Sequence, residues 1–144
     1  MLQRVSEAPL DRLEFDRWRA EADRALHGAR VQSEAGLDNW ACFAAEQAAQ
    51  LALKGLLHGL GLAPWGHDLV KLVEMCRQAD LAMPSDLRDR MITLARHYIP
   101  ARYPDAHASG TAGGHYGPRD SEQAIADAQA ALAFVDATWD GFGD

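Results

Sequence analysis

Strand-like alternation is missing from this chain, and so is any uninterrupted run of about eighteen apolar residues. The first absence argues against a β-sheet, since a half-buried strand changes face at every residue. The second argues against a membrane-spanning helix. The first residues also lack the basic-then-apolar order of a secretory signal, so a cytoplasmic protein is expected. Cysteine is confined to Cys42 and Cys76, both in apolar helical stretches. Buried free thiols are the ordinary reading of such a pair, ahead of a disulfide or a ligand role. Lysine is nearly absent, with Lys54 and Lys71 beside twelve arginines. Positive charge is short overall: 14 Lys and Arg against 21 Asp and Glu leave a net charge of −7. That balance speaks against a protein that coats nucleic acid electrostatically. A local basic site stays open, because Arg88, Arg90, Arg96 and Arg102 lie close together with only Asp86 and Asp89 to offset them. Arginine's planar fork suits phosphate, although a solvated helix face is the ordinary reading of such a cluster.

What the chain has in quantity is helix formers, within a composition that is 48% hydrophobic. Its 144 residues suffice for one domain with a real core. Five helical segments follow from apolar spacing. Phe15, Trp18, Ala22, Ala25, Leu26 and Ala29 mark the first, which ends near Ser33 to Gly36. The second opens at Asp38 or Asn39 as cap and carries Trp40, Phe43, Ala44, Gln47, Leu51 and Leu56 towards Gly59 and Gly61. Leu69, Leu72, Val73 and Cys76 share one face of a short third helix over 68–78. Ser85 is the expected cap of a fourth, whose stripe of Leu87, Met91, Leu94, Ala95 and Tyr98 is broken by Pro100. The last begins at Asp120, with Gln123 completing a capping box, and repeats through Ile125, Ala128, Leu132, Val135 and Trp139. Residues 99–118 form a long loop rich in glycine and proline, and such loops are functional or disordered. An all-α, antiparallel up-and-down bundle of four to five helices is the expected fold.

Certain segments go further. The stretch Phe43-Ala44-Ala45-Glu46-Gln47-Ala48-Ala49-Gln50-Leu51-Ala52-Leu53-Lys54-Gly55-Leu56-Leu57 resembles the long second helix of HEPN domains. It is followed by Gly66-His67-Asp68-Leu69, similar to the family's His-Asp-Leu at the next helix start, then by Tyr98-Ile99-Pro100-Ala101-Arg102-Tyr103-Pro104-Asp105 and an Ala-rich closing helix. Order and spacing both match, and the resemblance covers residues 10–139. It implies a helical bundle that pairs as a homodimer, often beside a minimal nucleotidyltransferase in a toxin–antitoxin couple. Active members are metal-independent ribonucleases with an Arg-x(4–6)-His signature, while others are non-catalytic binding or scaffolding modules. No cofactor is implied.

The spacing Arg-x(4–6)-His occurs twice here, at Arg102/His107 and at Arg90/His97, so spacing alone does not choose. Arg102 stands in the segment where the resemblance expects the signature arginine. RNA cleavage without metal uses the 2′-hydroxyl as nucleophile. It needs a proton carrier near neutral pH and a fixed positive charge on the phosphate. His107 takes the first role and Arg102 the second, as the candidate catalytic pair. Arg96, Tyr103, Arg90 and His97 are the candidate nucleotide- or RNA-binding residues. The ordinary reading of Arg90 and His97, seven apart on one helix face, is a half-buried flank. Pro104 lies inside the signature, and Ser109 occupies the position where related toxins carry a modifiable tyrosine. A non-catalytic module that binds nucleotide, RNA or protein therefore stands beside the ribonuclease toxin as a second reading.

The remaining candidates have plain structural readings. His67 before Asp68 suits a helix cap, and His107 with His115 lacks any standard metal-ligand spacing. His27 and His58 lie near helix ends. Trp18, Trp40 and Trp139 read as core, Trp65 as a residue free to touch a partner, and Lys54 as a lysine that snorkels from an apolar helix.

Overall fold

A computed structural model describes residues 8–143. Five helices, with no strand among the described residues, run as α1 (Arg12–Glu34), α2 (Asp38–Gly59), α3 (Leu69–Gln78), α4 (Ser85–Ala95) and α5 (Pro118–Phe142). Two 3₁₀ turns, Pro104–Ala106 and Gly113–His115, punctuate the segment between α4 and α5. No described helix is long and apolar enough to cross a membrane.

Helix α2 lies in the middle, against α1, α3, α4 and α5. The side it turns to the core is its small one: Ala41, Cys42, Ala45, Ala48, Ala49 and Ala52 are fully buried, with Leu53, Leu56 and Leu57 below them. The bulkier stripe expected to face inwards lies on a flank instead. Phe43, Ala44, Gln47 and Leu51 are half-buried, and Trp40 is 41% exposed rather than core. Packing distance is the reason. Small side chains let two backbones come close, and a glycine allows still closer approach. At Gly59 a Cβ would sit 2.6 Å from the indole of Trp139, which itself stacks on Phe15 with ring centroids 4.1 Å apart. Trp139 is thus core as expected, and Trp18 is half-buried.

The ends of the helices show where tertiary contacts override local signals. Asp11 caps α1 and Asp68 caps α3, each accepting from backbone amides of the first turn. Asp38 and Asn39 do not cap α2; Leu37 takes that place. Their side chains are used elsewhere, the Asp38 carboxylate accepting from Ser121 Oγ at 2.8 Å and the Asn39 amide donating to the Ala101 carbonyl at 2.9 Å. Ser85 is the first residue of α4, and Pro84 precedes it in extended conformation. Helix α5 begins before Asp120, at Pro118, and the Gly117 amide donates to the Asp120 carboxylate at 2.8 Å. Gln123 takes no part in that turn and donates to Asp127.

Helix α4 stops at Ala95, short of Tyr98. Pro100 lacks the amide that a continuing helix would use, and the chain tightens into i+3 bonds at Arg96, His97 and Tyr98. The loop that follows is pinned. Ala101 and Ala112 are buried, Asn39 holds the Ala101 carbonyl, and Gly114 donates to Thr111 Oγ1.

Candidate functional site

The turn after α4 delivers Arg102 back against α2. Its Nε donates to the carbonyl of Tyr98 at 2.8 Å, which sets the plane of the guanidinium. The guanidinium carbon lies 4.3 Å from the ring centroid of Phe43, 4.5 Å from that of Tyr98 and 5.1 Å from that of Tyr103. Cation–π attraction from three rings holds the charge in one place without consuming its hydrogen bonds. No described side chain or carbonyl accepts from its two terminal amino groups. The rings extend outwards: Trp40 meets Phe43 edge-on at 6.4 Å, and His67 stacks on Tyr98 at 6.1 Å.

One turn along α2 from Phe43 lies Glu46, fully buried. Its two carboxyl oxygens accept from the side-chain amides of Gln47 at 2.8 Å and Gln50 at 2.7 Å, and Gln50 also donates to the His67 carbonyl at 2.8 Å. Burial pushes the carboxyl up to about 7, against the opposing pull of the two amides and of the charges on Arg102 and Lys54. Burial likewise lowers Lys54, which is half-buried on α2.

The histidines gather elsewhere in the loop. His107 Nε2 lies 2.7 Å from the Pro100 carbonyl and His115 Nε2 lies 2.6 Å from that of Ser109. A carbonyl only accepts, so each ring carries its proton on Nε2. The two rings stack at 4.3 Å and 7°. Tyr116 meets the edge of His107, and its hydroxyl lies 3.0 Å from His97 Nδ1. Burial lowers His97 and raises Tyr116 to about 12. Among the described residues, no three His, Cys, Asp or Glu side chains form a metal-binding group.

With these helices in place, the HEPN domain model matches residues 15–138. The chain belongs to the HEPN family. Three solved structures resemble it along nearly their whole length. TT1696 from Thermus thermophilus is 40% identical with a TM-score of 0.83, covering 86% of this chain and 97% of its own. ST0689, an archaeal HEPN homologue, is 31% identical with a TM-score of 0.73, covering 85% and 95%. A HEPN domain protein of Thermotoga maritima, TM0613, is 25% identical with a TM-score of 0.69, covering 84% and 95%. A comparison with curated proteins found no match.

Within this HEPN fold the sequence-derived candidates fall into separate places. Arg102 and Tyr103 belong to the aromatic cluster on α2. His97 and His107 meet through Tyr116. Arg90 donates to the buried carboxylate of Asp127 at 2.9 Å and so ties α4 to α5. Arg96 is exposed. Arg102 and His107 share neither a hydrogen bond nor a ring contact. His67 does not cap α3; Asp68 does, and the His67 ring is left to Tyr98. Both cysteines are free and buried, and burial raises each thiol to about 12.

Sequence reasoning passed over Glu46, Gln50 and the ring of Phe43 as site components. A signal existed for Glu46. It lies four residues from Cys42 and three from Ala49, on the face that α2 buries. A carboxylate at such a position needs partners, which points to Gln47 and Gln50 as well.

Proposed function

We propose that this HEPN protein is a non-catalytic module that binds the phosphate of a nucleotide or RNA at Arg102. The observation that carries this reading is the state of that guanidinium. It is held by Tyr98 and three rings while its two terminal amino groups remain uncommitted. Paired N–H donors on a fixed plane match two phosphate oxygens. Tyr103, 47% exposed, and Trp40 offer ring surface beside it for a base. His107 supports catalysis less well. Its Nε2 proton is committed to the Pro100 carbonyl, and its ring is stacked on His115.

Pairing of two copies belongs to this proposal. Exposed Trp40, Ile99 and Tyr103 flank the site and give a second copy apolar surface to cover. The spacing of Arg102 and His107 keeps the ribonuclease toxin, with its nucleotidyltransferase antitoxin, as the competing reading.

Binding of a short single-stranded RNA, with its products analysed, separates the two. Intact RNA is expected, bound about tenfold or more weakly by Arg102→Ala and normally by His107→Ala. Fragments ending in a 2′,3′-cyclic phosphate, lost in His107→Ala, would establish the ribonuclease instead. Unchanged affinity in Arg102→Ala would remove the site.

A further inference from the structure

Two carboxylates of this fold are almost wholly buried, and they are treated differently. Asp127 receives the guanidinium of Arg90 at 2.9 Å. Glu46 has no cation bonded to it: both of its recorded partners are neutral amides. The charges that reach it are Arg102, from the turn after α4, and Lys54, one face along α2. Other charged groups around α2 are engaged elsewhere. Arg19 of α1 pairs with Asp136 and Asp23, Arg90 of α4 with Asp127 of α5, and Asp68 caps α3. His67, at the start of α3, sends its carbonyl to Gln50 and its ring to Tyr98.

Glu46 is therefore poised between two forms. The amides of Gln47 and Gln50 suit the ionised carboxylate, because both donate to it. Burial suits the neutral acid. The charge on Arg102 helps the ionised form, and that charge is the one an incoming phosphate would neutralise.

Resting on the reading of Arg102 as a phosphate site, we propose that Glu46 is its proton-linked counter-charge: a phosphate anion and an ionised Glu46 compete for the same guanidinium, so the anion binds together with a proton taken up from solvent by Glu46. The balance is simple. Carboxylate, solvent proton and phosphate diester become neutral acid and bound diester, with no covalent bond to phosphorus made or broken. Linkage makes the effect reciprocal: protonation of Glu46 tightens the anion as much as the anion favours protonation. That Glu46 changes form near neutral pH places the switch within an accessible range. Glu46 is a positioning residue in this scheme, because it acts on the ligand only through Arg102.

The test needs a probe whose own charge is constant. A short 2′-O-methyl oligoribonucleotide without terminal phosphates meets this, since a terminal phosphate titrates near pH 6. Its dissociation constant is measured between about pH 6 and about pH 8.5 for the full chain and for Glu46→Gln and Arg102→Ala, with coupling in the usual range of about 5–150-fold. Wild type is expected to bind about tenfold more weakly at the alkaline end. Glu46→Gln, which copies the neutral acid in shape, is expected to stay tight across the range. Calorimetry of wild type in buffers of different ionisation enthalpy should show proton uptake on binding near neutral pH. A wild-type pH slope retained in Glu46→Gln, or no proton uptake, overturns the coupling while Arg102→Ala still reports the site. Binding unchanged in Arg102→Ala overturns the phosphate site itself, and the coupling with it.

Discussion

The guanidinium carbon of Arg102 lies 4.3 Å from the ring centroid of Phe43, so a residue from the loop after α4 is seated on a side chain in the first half of α2. Phe43→Leu preserves apolar bulk but removes the π face, a loss of about 0.5–2 kcal/mol in cation–π attraction. Oligonucleotide affinity is expected to fall about three- to tenfold, with the melting temperature nearly unchanged. Arg102→Lys should not restore it, because a point-like ammonium lacks the fork that reaches two phosphate oxygens. Equal affinity in Phe43→Leu would show that the ring does not hold the charge.

Close packing makes two helical glycines behave oppositely. A Cβ at Gly59 would meet the Trp139 ring at 2.6 Å and the Phe15 Cβ at 3.0 Å, so Gly59→Ala is expected to cost about 2 kcal/mol through overpacking. Gly28, within α1, has nothing within 4 Å of such a Cβ. Gly28→Ala is expected to stabilise by about 0.5–1 kcal/mol through helix propensity. Urea denaturation of both variants checks the pair, and a common sign would contradict the packing.

Arg90 and Asp127 form the buried link between α4 and α5. Removing the guanidinium leaves Asp127 with only the Gln123 amide at 2.8 Å. Arg90→Ala is expected to cost about 2 kcal/mol, below the usual figure for a fully buried pair because Arg90 is half-exposed. The double variant with Asp127→Asn should cost less than Arg90→Ala alone. A double-mutant cycle measures this, and simple additivity would argue against a paired charge.

Glu46 makes stability depend on pH in a direction unusual for a carboxylate. Its folded value is raised from 4.5 to about 7, so between those values the folded chain holds a proton that the unfolded chain has released. The contribution is complete below 4.5 and is lost as pH rises to about 7. A displacement of that size corresponds to about 3 kcal/mol at most. The stability of Glu46→Gln relative to wild type should therefore improve across this window, as followed by denaturation at a series of pH values. A constant difference would exclude an elevated Glu46.

His97 acts with the opposite sign. Burial lowers it below 6.5, so its contribution is present above 6.5 and is lost as pH falls and the unfolded histidine takes up a proton. His97→Gln should flatten the acid side of the stability profile. An unchanged acid slope in that variant would show that another group sets it.

Much of the architecture was legible along the chain. Leu69, Leu72, Val73 and Cys76 on α3, and Leu87, Met91 and Leu94 on α4, are buried as their spacing required. On α2 periodicity misled. The large residues Trp40, Phe43 and Leu51 drew the stripe, yet the alanines a fraction of a turn away meet α1 and α5. Helix starts were misread where a long-range partner claimed the capping side chain, as Ser121 does Asp38 and Ala101 does Asn39.

The site divides along the same line. Residue order determined that this chain is a HEPN helical bundle and that Arg102 stands in the segment after α4, because helical periodicity and motif order are properties of neighbours in sequence. Only the folded chain decided that Arg102 rests on Phe43 with its terminal amino groups uncommitted, that Glu46 lies buried within reach of its charge, and that His107 turns to Pro100 and His115. Those relations depend on how the turn at Pro100 lays one segment across another. Burial, and with it the ionisation of Glu46, is a property of what surrounds a group and not of where it stands in the chain.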